Sequence, residues 1–319
     1  MILQRIHLFL LYGLIGLLFL LWFFQNQKGS SNDIYTEEIT MESGSGEVMT
    51  FSIPEPKVRI FDIPKEITFA DENVPLDQPD IKERFEREIY VNAYWQSNMI
   101  LLMKRANKFL PSIEKILKQQ GIPDDFKYLA MAESGLMNVV SPAGARGFWQ
   151  FMPATAKEYD LEVSDEVDER YHLEKSTVAT CKYLKSAFAK FGNWTAVAAS
   201  YNMGITGFGK RLQEQRQANY YDLLLNDETS RYLFRILAFK EIFENPVKYG
   251  FELRESELYQ APVFRNLLVD SDIDNLAAWA IKHNSNYKEL KLHNPWLRSS
   301  KLKVKKGKSY SIQLPVSNF

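Results

Sequence analysis

The chain has 319 residues, 45% hydrophobic and 25% charged, which is globular usage and excludes collagen-like, wholly disordered and disulfide-framework chains. At roughly 150 residues per domain, this length predicts about two domains. Lys and Arg number 39 against 40 Asp and Glu, so a formal charge of -1 gives no global attraction to nucleic acid.

The first element is the run IHLFLLYGLIGLLFLLWFF from Ile6 to Phe24. At the helical rise it is about 28 Å long, nearly the thickness of a hydrocarbon core. It ends in WFFQNQKGS, with no small-residue cleavage site and no Cys to accept a lipid, so residues 1–28 read as an uncleaved membrane anchor. Arg5 precedes the run and Gly29 to Pro56 contains no Lys or Arg, which places the remaining chain outside the cytoplasm. Residues 29–78 mix Ser, Gly, Glu and Pro and read as a periplasmic linker, within which KVRIF and EITF are short enough to pair as strands or pack on the next domain.

From Ile81 to about Phe243 the pattern is helical. ERFEREIYVNAYWQSNMILLMKRANKFL reads as one long helix, and Pro111 suits the first turn of the next, which carries Ile113, Ile116 and Leu117 and stops at Gly121. Further helices are predicted over Glu174 to Phe191, Trp194 to Asn202 and Glu228 to Phe243. GITGFGK, from Gly204, lacks the order of a phosphate-binding glycine loop. The tail, with FRNLLVD, NLAAWAIKHN, YKELKLHN and SYSIQLP, reads as a small βααβ module.

One segment suggests chemistry. In GIPDDFKYLAMAESGL, Phe126, Leu129, Ala130 and Glu133 are spaced i, i+3, i+4, i+7, so a helix carries the carboxylate on its apolar face. Gly135 puts Glu133 in the last turn, where unpaired carbonyls disfavour its ionisation, and burial acts in the same direction. A carboxyl so placed keeps a proton near neutral pH, as a general acid must; the alternative is a Glu reaching past the helix end to solvent. The following SPAGARGFWQFMPATA sets small residues beside Phe148, Trp149 and Gln150, which lets backbone approach a ligand and offers an amide and flat rings to a sugar.

AESGL, SPAGARGFWQFMPATA, AASYNMG and ETSRYLFRILAF, in this order, resemble the successive motifs of the lytic transglycosylase domain of the soluble-lytic-transglycosylase, goose-lysozyme-like type, most like the membrane-bound lytic murein transglycosylase D group. The resemblance covers about residues 80 to 250. It implies a mainly α fold, with a lysozyme-like helical catalytic domain over 79–252 acting on peptidoglycan glycan strands. It carries the catalytic acid and base onto Glu133, places Ser134, Ser141, Gln150, Tyr201 and Asn202 along the sugar cleft, and makes Tyr232 a cleft aromatic. Local readings stand beside these: Tyr201 as core one helical face from Trp194, Asn202 as a helix-terminal residue, Gln150 as a partner for loop backbone, and Arg231 as a solvated helical charge. The family's reaction needs one carboxylate: Glu133 protonates the leaving oxygen, then takes the proton of the C6 hydroxyl as it attacks C1, giving a 1,6-anhydro end. The resemblance implies no metal and no cofactor, in keeping with a lone Cys181 and four scattered His.

NLAAWAIKHNSNYKELKLHNPWLRSSKLKVKKGKSYSIQLP, within 262–319, resembles a LysM domain, which implies glycan binding, although the usual Gly-Asp before the first helix reads Ser271-Asp272-Ile273-Asp274. The lysines of KLKVKKGK, Lys301, Lys303, Lys305, Lys306 and Lys308, read as a solvated face or as contacts to anionic stems or head groups. Two alternatives remain at this level. One is a hydrolase of the same fold with Asp165, Asp168 or Glu169 positioning water; the other is a non-catalytic glycan-binding scaffold. The partners expected are glycan strands and, through the first helix, a membrane; none is nucleic acid.

Overall fold

In the computed structural model, residues 36–42, 48–54 and 58–316 are described, so the apolar run at 6–24 lies outside the described residues. Among the described residues, no helix is long and apolar enough to cross a membrane. The described residues up to Ile60 and those from Phe61 onward form separate units. In the first, β1 (Thr36–Glu42) and β2 (Val48–Pro54) pair antiparallel, with Thr36 opposite Pro54.

The second unit begins earlier than the linker reading placed it. Residues 61–78 are packed: β3 (Thr68–Phe69) and β4 (Glu72–Asn73) form a tight hairpin, and Phe69, Val74 and Leu76 are buried in the helical core. Burying these side chains explains why EITF packs instead of trailing through solvent. Glu72 also accepts the Trp194 N–H (2.5 Å), the Thr195 N–H (2.8 Å) and the Thr195 hydroxyl (2.7 Å). A carboxylate thereby satisfies two orphan donors at the positive end of a helix, joining residues 122 positions apart in the chain.

The long helix expected through residue 110 is broken at Trp95 (φ -82°, ψ 59°), giving α1 (Pro79–Tyr94) and α2 (Gln96–Gln119). Pro111 lies inside α2, not at the start of a new helix. Its missing N–H forfeits one bond at a cost of about 3 kcal/mol. Buried Met99, Leu102, Met103, Ala106, Ile113, Ile116 and Leu117 make one stripe across the proline, and burying that stripe outweighs the lost bond. α3 (Lys127–Ser134), α4 (Pro153–Glu158), α5 (Leu173–Phe191), α6 (Trp194–Met203), α7 (Ile205–Gln215) and α8 (Asp227–Glu244) complete the helical body. The glycine-bearing GITGFGK is thus the N-cap, Gly204, and first half of α7, a helix the sequence pattern did not reveal.

α8 is the central helix. Leu233, Phe234, Ile236, Leu237, Ala238 and Ile242 are buried, and α1, α3 and α6 pack around it. Arg231, expected as a solvated charge, instead donates to Glu88 of α1 at 2.6 Å. Glu88 is 1% exposed and is also approached by Arg87 (3.2 Å) and Arg235 (3.7 Å). A carboxylate buried so deeply needs cationic partners to offset its desolvation, so the cluster pins α1 to α8 in one register.

The tail folds as expected. β5 (Phe264–Val269) and β6 (Tyr310–Pro315) pair antiparallel with Val269 opposite Tyr310, and α9 (Leu276–Lys282) and α10 (Tyr287–His293) lie between them in sequence. Buried Asn294 donates to the Gln313 carbonyl (2.6 Å) and accepts the Gln313 N–H (2.8 Å), tying the end of α10 to β6. The module's core of Leu276, Leu290, Trp296, Leu302 and Ile312 also takes in Val167 and Tyr171 from the helical body.

Candidate active site

Helix α3 stops at Gly135, whose left-handed φ of 58° lets its N–H reach the Met131 carbonyl at 2.9 Å. Arg105 of α2 donates to the Gly135 carbonyl at 2.7 Å, which fixes this helix end. Glu133 therefore sits in the last turn, half-buried, and the Tyr232 hydroxyl of α8 donates to its carboxylate. The Glu133 carboxyl is raised to about 7: burial lifts it most, the Tyr232 hydrogen bond offsets part of that, the Glu228 charge raises it and the Arg235 charge lowers it. An acid poised there both gives and regains a proton near neutral pH.

Ser134 is buried, and its hydroxyl donates to the carbonyls of Phe148 (2.9 Å) and Ala130 (3.2 Å). It fastens the end of α3 to the loop that follows. Within this loop the Ser141 hydroxyl accepts the Ala145 N–H (3.0 Å), Gly147 donates to the Val139 carbonyl (3.1 Å) and Arg146 to the Phe151 carbonyl (3.1 Å). Gln150 adopts a left-handed φ of 49°, and its amide nitrogen donates to the carbonyls of Gly147 (2.7 Å) and Val139 (3.3 Å). Trp149 is buried and donates its ring N–H to the Thr177 hydroxyl at 2.9 Å. The loop is built from its own hydrogen bonds, as a segment of small residues requires if it is to hold one shape.

Tyr201 is half-buried at the end of α6 and donates to the Trp149 carbonyl at 2.7 Å. Burial and then the Glu133 charge hold its hydroxyl well above the usual tyrosine range, so it stays a neutral donor. Asn202 accepts the Thr229 hydroxyl (2.7 Å) and donates to Glu228 (3.0 Å), linking α6 to the start of α8. Gln150, Tyr201 and Asn202 line one groove of about 470 Å³, with Met152, Tyr183 and Thr206. Ser134, Ser141, Glu133 and Tyr232 are not among its walls; the first two hold the loop, and the last two form the acid pair whose charge reaches Tyr201.

The three carboxylates considered for water positioning are placed otherwise. Asp168 is buried against Arg170 (2.8 Å), Glu169 is buried against Lys175 (2.5 Å), and Asp165 is exposed. The carboxylate that Glu133 feels is Glu228, which the sequence reading passed over. Its position four residues before Tyr232 on a predicted helix was the available signal, since i and i+4 share a face.

Residues 111–224 match the family model of the transglycosylase SLT domain, and residues 265–318 match that of the soluble lytic transglycosylase C-terminal LysM-like domain. The chain is similar to membrane-bound lytic murein transglycosylase D of Escherichia coli (strain K12), 28% identical over 155 residues that make up 47% of this chain and 34% of that protein. The chain thus spans about a third of the length of that curated relative. It is also similar to a putative tributyltin chloride resistance protein of Alteromonas sp. (strain M-1), 28% identical over 102 residues, covering 31% of this chain and 49% of the relative. Among known structures, an inactive mutant of the lytic transglycosylase Slt from Pseudomonas aeruginosa aligns with a TM-score of 0.34 and 18% identity, over 47% of this chain and 26% of that one.

Proposed function

We propose that this chain, which carries a transglycosylase SLT domain followed by a LysM-like domain, is a peptidoglycan lytic transglycosylase with Glu133 as its single acid and base. The observation that carries this reading is a half-buried carboxyl raised to about 7 that is hydrogen-bonded by Tyr232 and whose charge reaches Tyr201 in the groove of Gln150, Tyr201 and Asn202. Glu133 gives its proton to the glycosidic oxygen as the bond to C1 breaks. Ionised, it then accepts the C6 hydroxyl proton while that oxygen bonds to C1, closing a 1,6-anhydro ring and restoring the acid. The nucleophile is tethered to the reacting ring, so effective molarities on the order of 10⁵ M replace an activated water. Gln150, Tyr201 and Asn202 contact the sugar, while Ser134, Ser141 and Tyr232 set the position of the loop and the acid. The catalytic domain begins near Phe61 and ends near residue 252. The apolar run at 6–24 holds it to a membrane with the catalytic domain outside the cytoplasm, a placement supported by the sequence alone.

A second reading draws on Glu228, a carboxylate within electrostatic reach of Glu133, which a water-activating hydrolase would require. Mass spectrometry of products from digested sacculi separates the two, because an anhydro end is lighter than a reducing end by one water. Anhydro ends are expected; reducing ends alone would sink the transglycosylase reading.

Tyr232 sets the working range of the acid. Its hydrogen bond favours the ionised carboxylate, so Tyr232→Phe raises the Glu133 pKa above about 7. The alkaline limb of kcat/KM, where the acid loses its proton, is expected to move to higher pH by about one unit. An unmoved limb in a pH profile would remove Tyr232 from this role.

A further inference from the structure

The groove loop and the C-terminal module meet at one segment, residues 162–172. On one side its backbone is stitched to the module. The Asp168 N–H donates to the Trp296 carbonyl (2.9 Å), the Arg298 N–H to the Glu166 carbonyl (2.8 Å) and the Lys303 N–H to the Glu166 carboxylate (2.8 Å). The Arg298 guanidinium lies 4.3 Å over the Tyr171 ring, the Tyr310 hydroxyl donates to Glu162 at 2.8 Å, and Lys308 pairs with Glu162. Lys301 approaches Glu166 at 3.8 Å, and Lys303 bridges Asp272 (2.9 Å) and Asp274 (3.1 Å). Lys301, Lys303 and Lys308 of the basic run therefore make ion pairs within the protein, although Lys301 and Lys303 remain on an exposed face, as the solvated-face reading expected.

On the other side, the same segment grips the groove loop. The Asp168 carboxylate accepts Arg170 Nε (2.9 Å) and Nη2 (2.8 Å), and both residues are buried. This two-point hold aims Arg170 Nη1 at the carbonyls of Gly144 and Phe151, each 3.2 Å away. A fixed guanidinium fork gives two separated loop carbonyls one common donor, as a flexible ammonium cannot.

We propose that the module is a brace for the groove: docked on 162–172, it fixes Asp168 and Arg170, two positioning residues that hold Gly144 to Phe151 in the sugar-binding shape. This rests on the reading of that loop as part of the substrate site. A loop of small residues left to itself must be ordered at each binding event, and the brace supplies that order beforehand.

The test uses the full chain with Arg170→Met, Arg170→Lys, and the module-side pair Lys308→Ala with Tyr310→Phe, which removes both side-chain bonds to Glu162, loosens docking and leaves both cores intact. Amide hydrogen exchange at Arg146, Gly147 and Gln150 is read beside kcat and KM on sacculi. Arg170→Met and the docking pair are each expected to speed exchange at these amides at least tenfold and to lower kcat/KM about tenfold. Arg170→Lys is expected to recover part of both, and the alkaline limb set by Glu133 is expected to stay in place. Unchanged exchange in Arg170→Met, or faster exchange with undiminished kcat/KM, overturns the proposal. Exchange is measurable without turnover, so absence of product from every form, wild type included, would fail the enzymatic reading while the brace is still decided by exchange.

Discussion

Glu133→Gln is expected to lower release of anhydro products by at least about 10³-fold and, at pH 8, to make the protein more stable than wild type. Both effects follow from one raised carboxyl. Glutamine keeps the volume and the partner for Tyr232 but has no proton to give the glycosidic oxygen. The stability gain follows from linkage. A carboxyl that titrates at about 7 when folded and near its ordinary value of 4.5 when unfolded binds its proton more tightly in the fold. It costs nothing below the unfolded value, and its ionisation removes stability progressively as pH rises through the folded value. The full shift sets a ceiling of about 3 kcal/mol, and the opening of the half-buried site to solvent lowers this to about 1–2 kcal/mol. Denaturant titrations at pH 5 and pH 8, run beside product analysis, check both parts. The variant's advantage should be nearly full at pH 8 and shrink to about a quarter of that at pH 5. Retained activity would take Glu133 out of the reaction, and an equal difference between variant and wild type at the two pH values would mean that its carboxyl is not held above its ordinary range.

The position of Glu133 was legible because it depends on contacts inside one helix: apolar neighbours at i-3, i-4 and i-7, and a glycine two residues on. The loop after it was legible only in part from composition: Gln150 does line the groove, but Phe148 and Trp149, expected to offer flat rings to a sugar, are buried and hold the loop to the core instead. What sets the acidity of Glu133 was not legible, because Tyr232 and Glu228 come from α8, about a hundred residues away, and no local period connects them. Glu88 with Arg231, and Glu72 with Thr195, are long-range pairings of the same kind. Pro111 shows the opposite failure. A sound local rule gave a helix start, and burial of a stripe running through the proline overrode it. Tyr201 was read as either core or cleft and is both, with its ring against Tyr183 and Phe151 and its hydroxyl on the groove loop.

Gly147→Ala is expected to be the most damaging single-methyl change in the groove loop, and Gly144→Ala supplies its control. Both glycines hold left-handed φ, 81° and 88°, so alanine at either carries the same backbone strain of about 1–2 kcal/mol. Their surroundings differ. A Cβ at Gly144 would meet nothing within 4 Å, whereas one at Gly147 would lie 1.9 Å from the Arg170 carbonyl oxygen and 2.7 Å from its carbon. Those are backbone atoms, held in place by the buried Asp168–Arg170 pair and by the docked module, so no side-chain rotation relieves the overlap. The loop must withdraw, and with it go the Gly147 hydrogen bond to Val139 and the hold of Gln150 on the Gly147 carbonyl. Displacement of a substrate-positioning segment by about 1 Å costs roughly 10²-fold in rate, and overpacking adds about 1–3 kcal/mol to the strain. Gly147→Ala should therefore lose about 10²-fold in kcat/KM and about 3 kcal/mol in stability, while Gly144→Ala loses only the strain and keeps most of its activity. Denaturant midpoints and sacculus turnover for the two variants side by side decide the matter. If they behave alike, the close approach of Gly147 to Arg170 is not what shapes the groove.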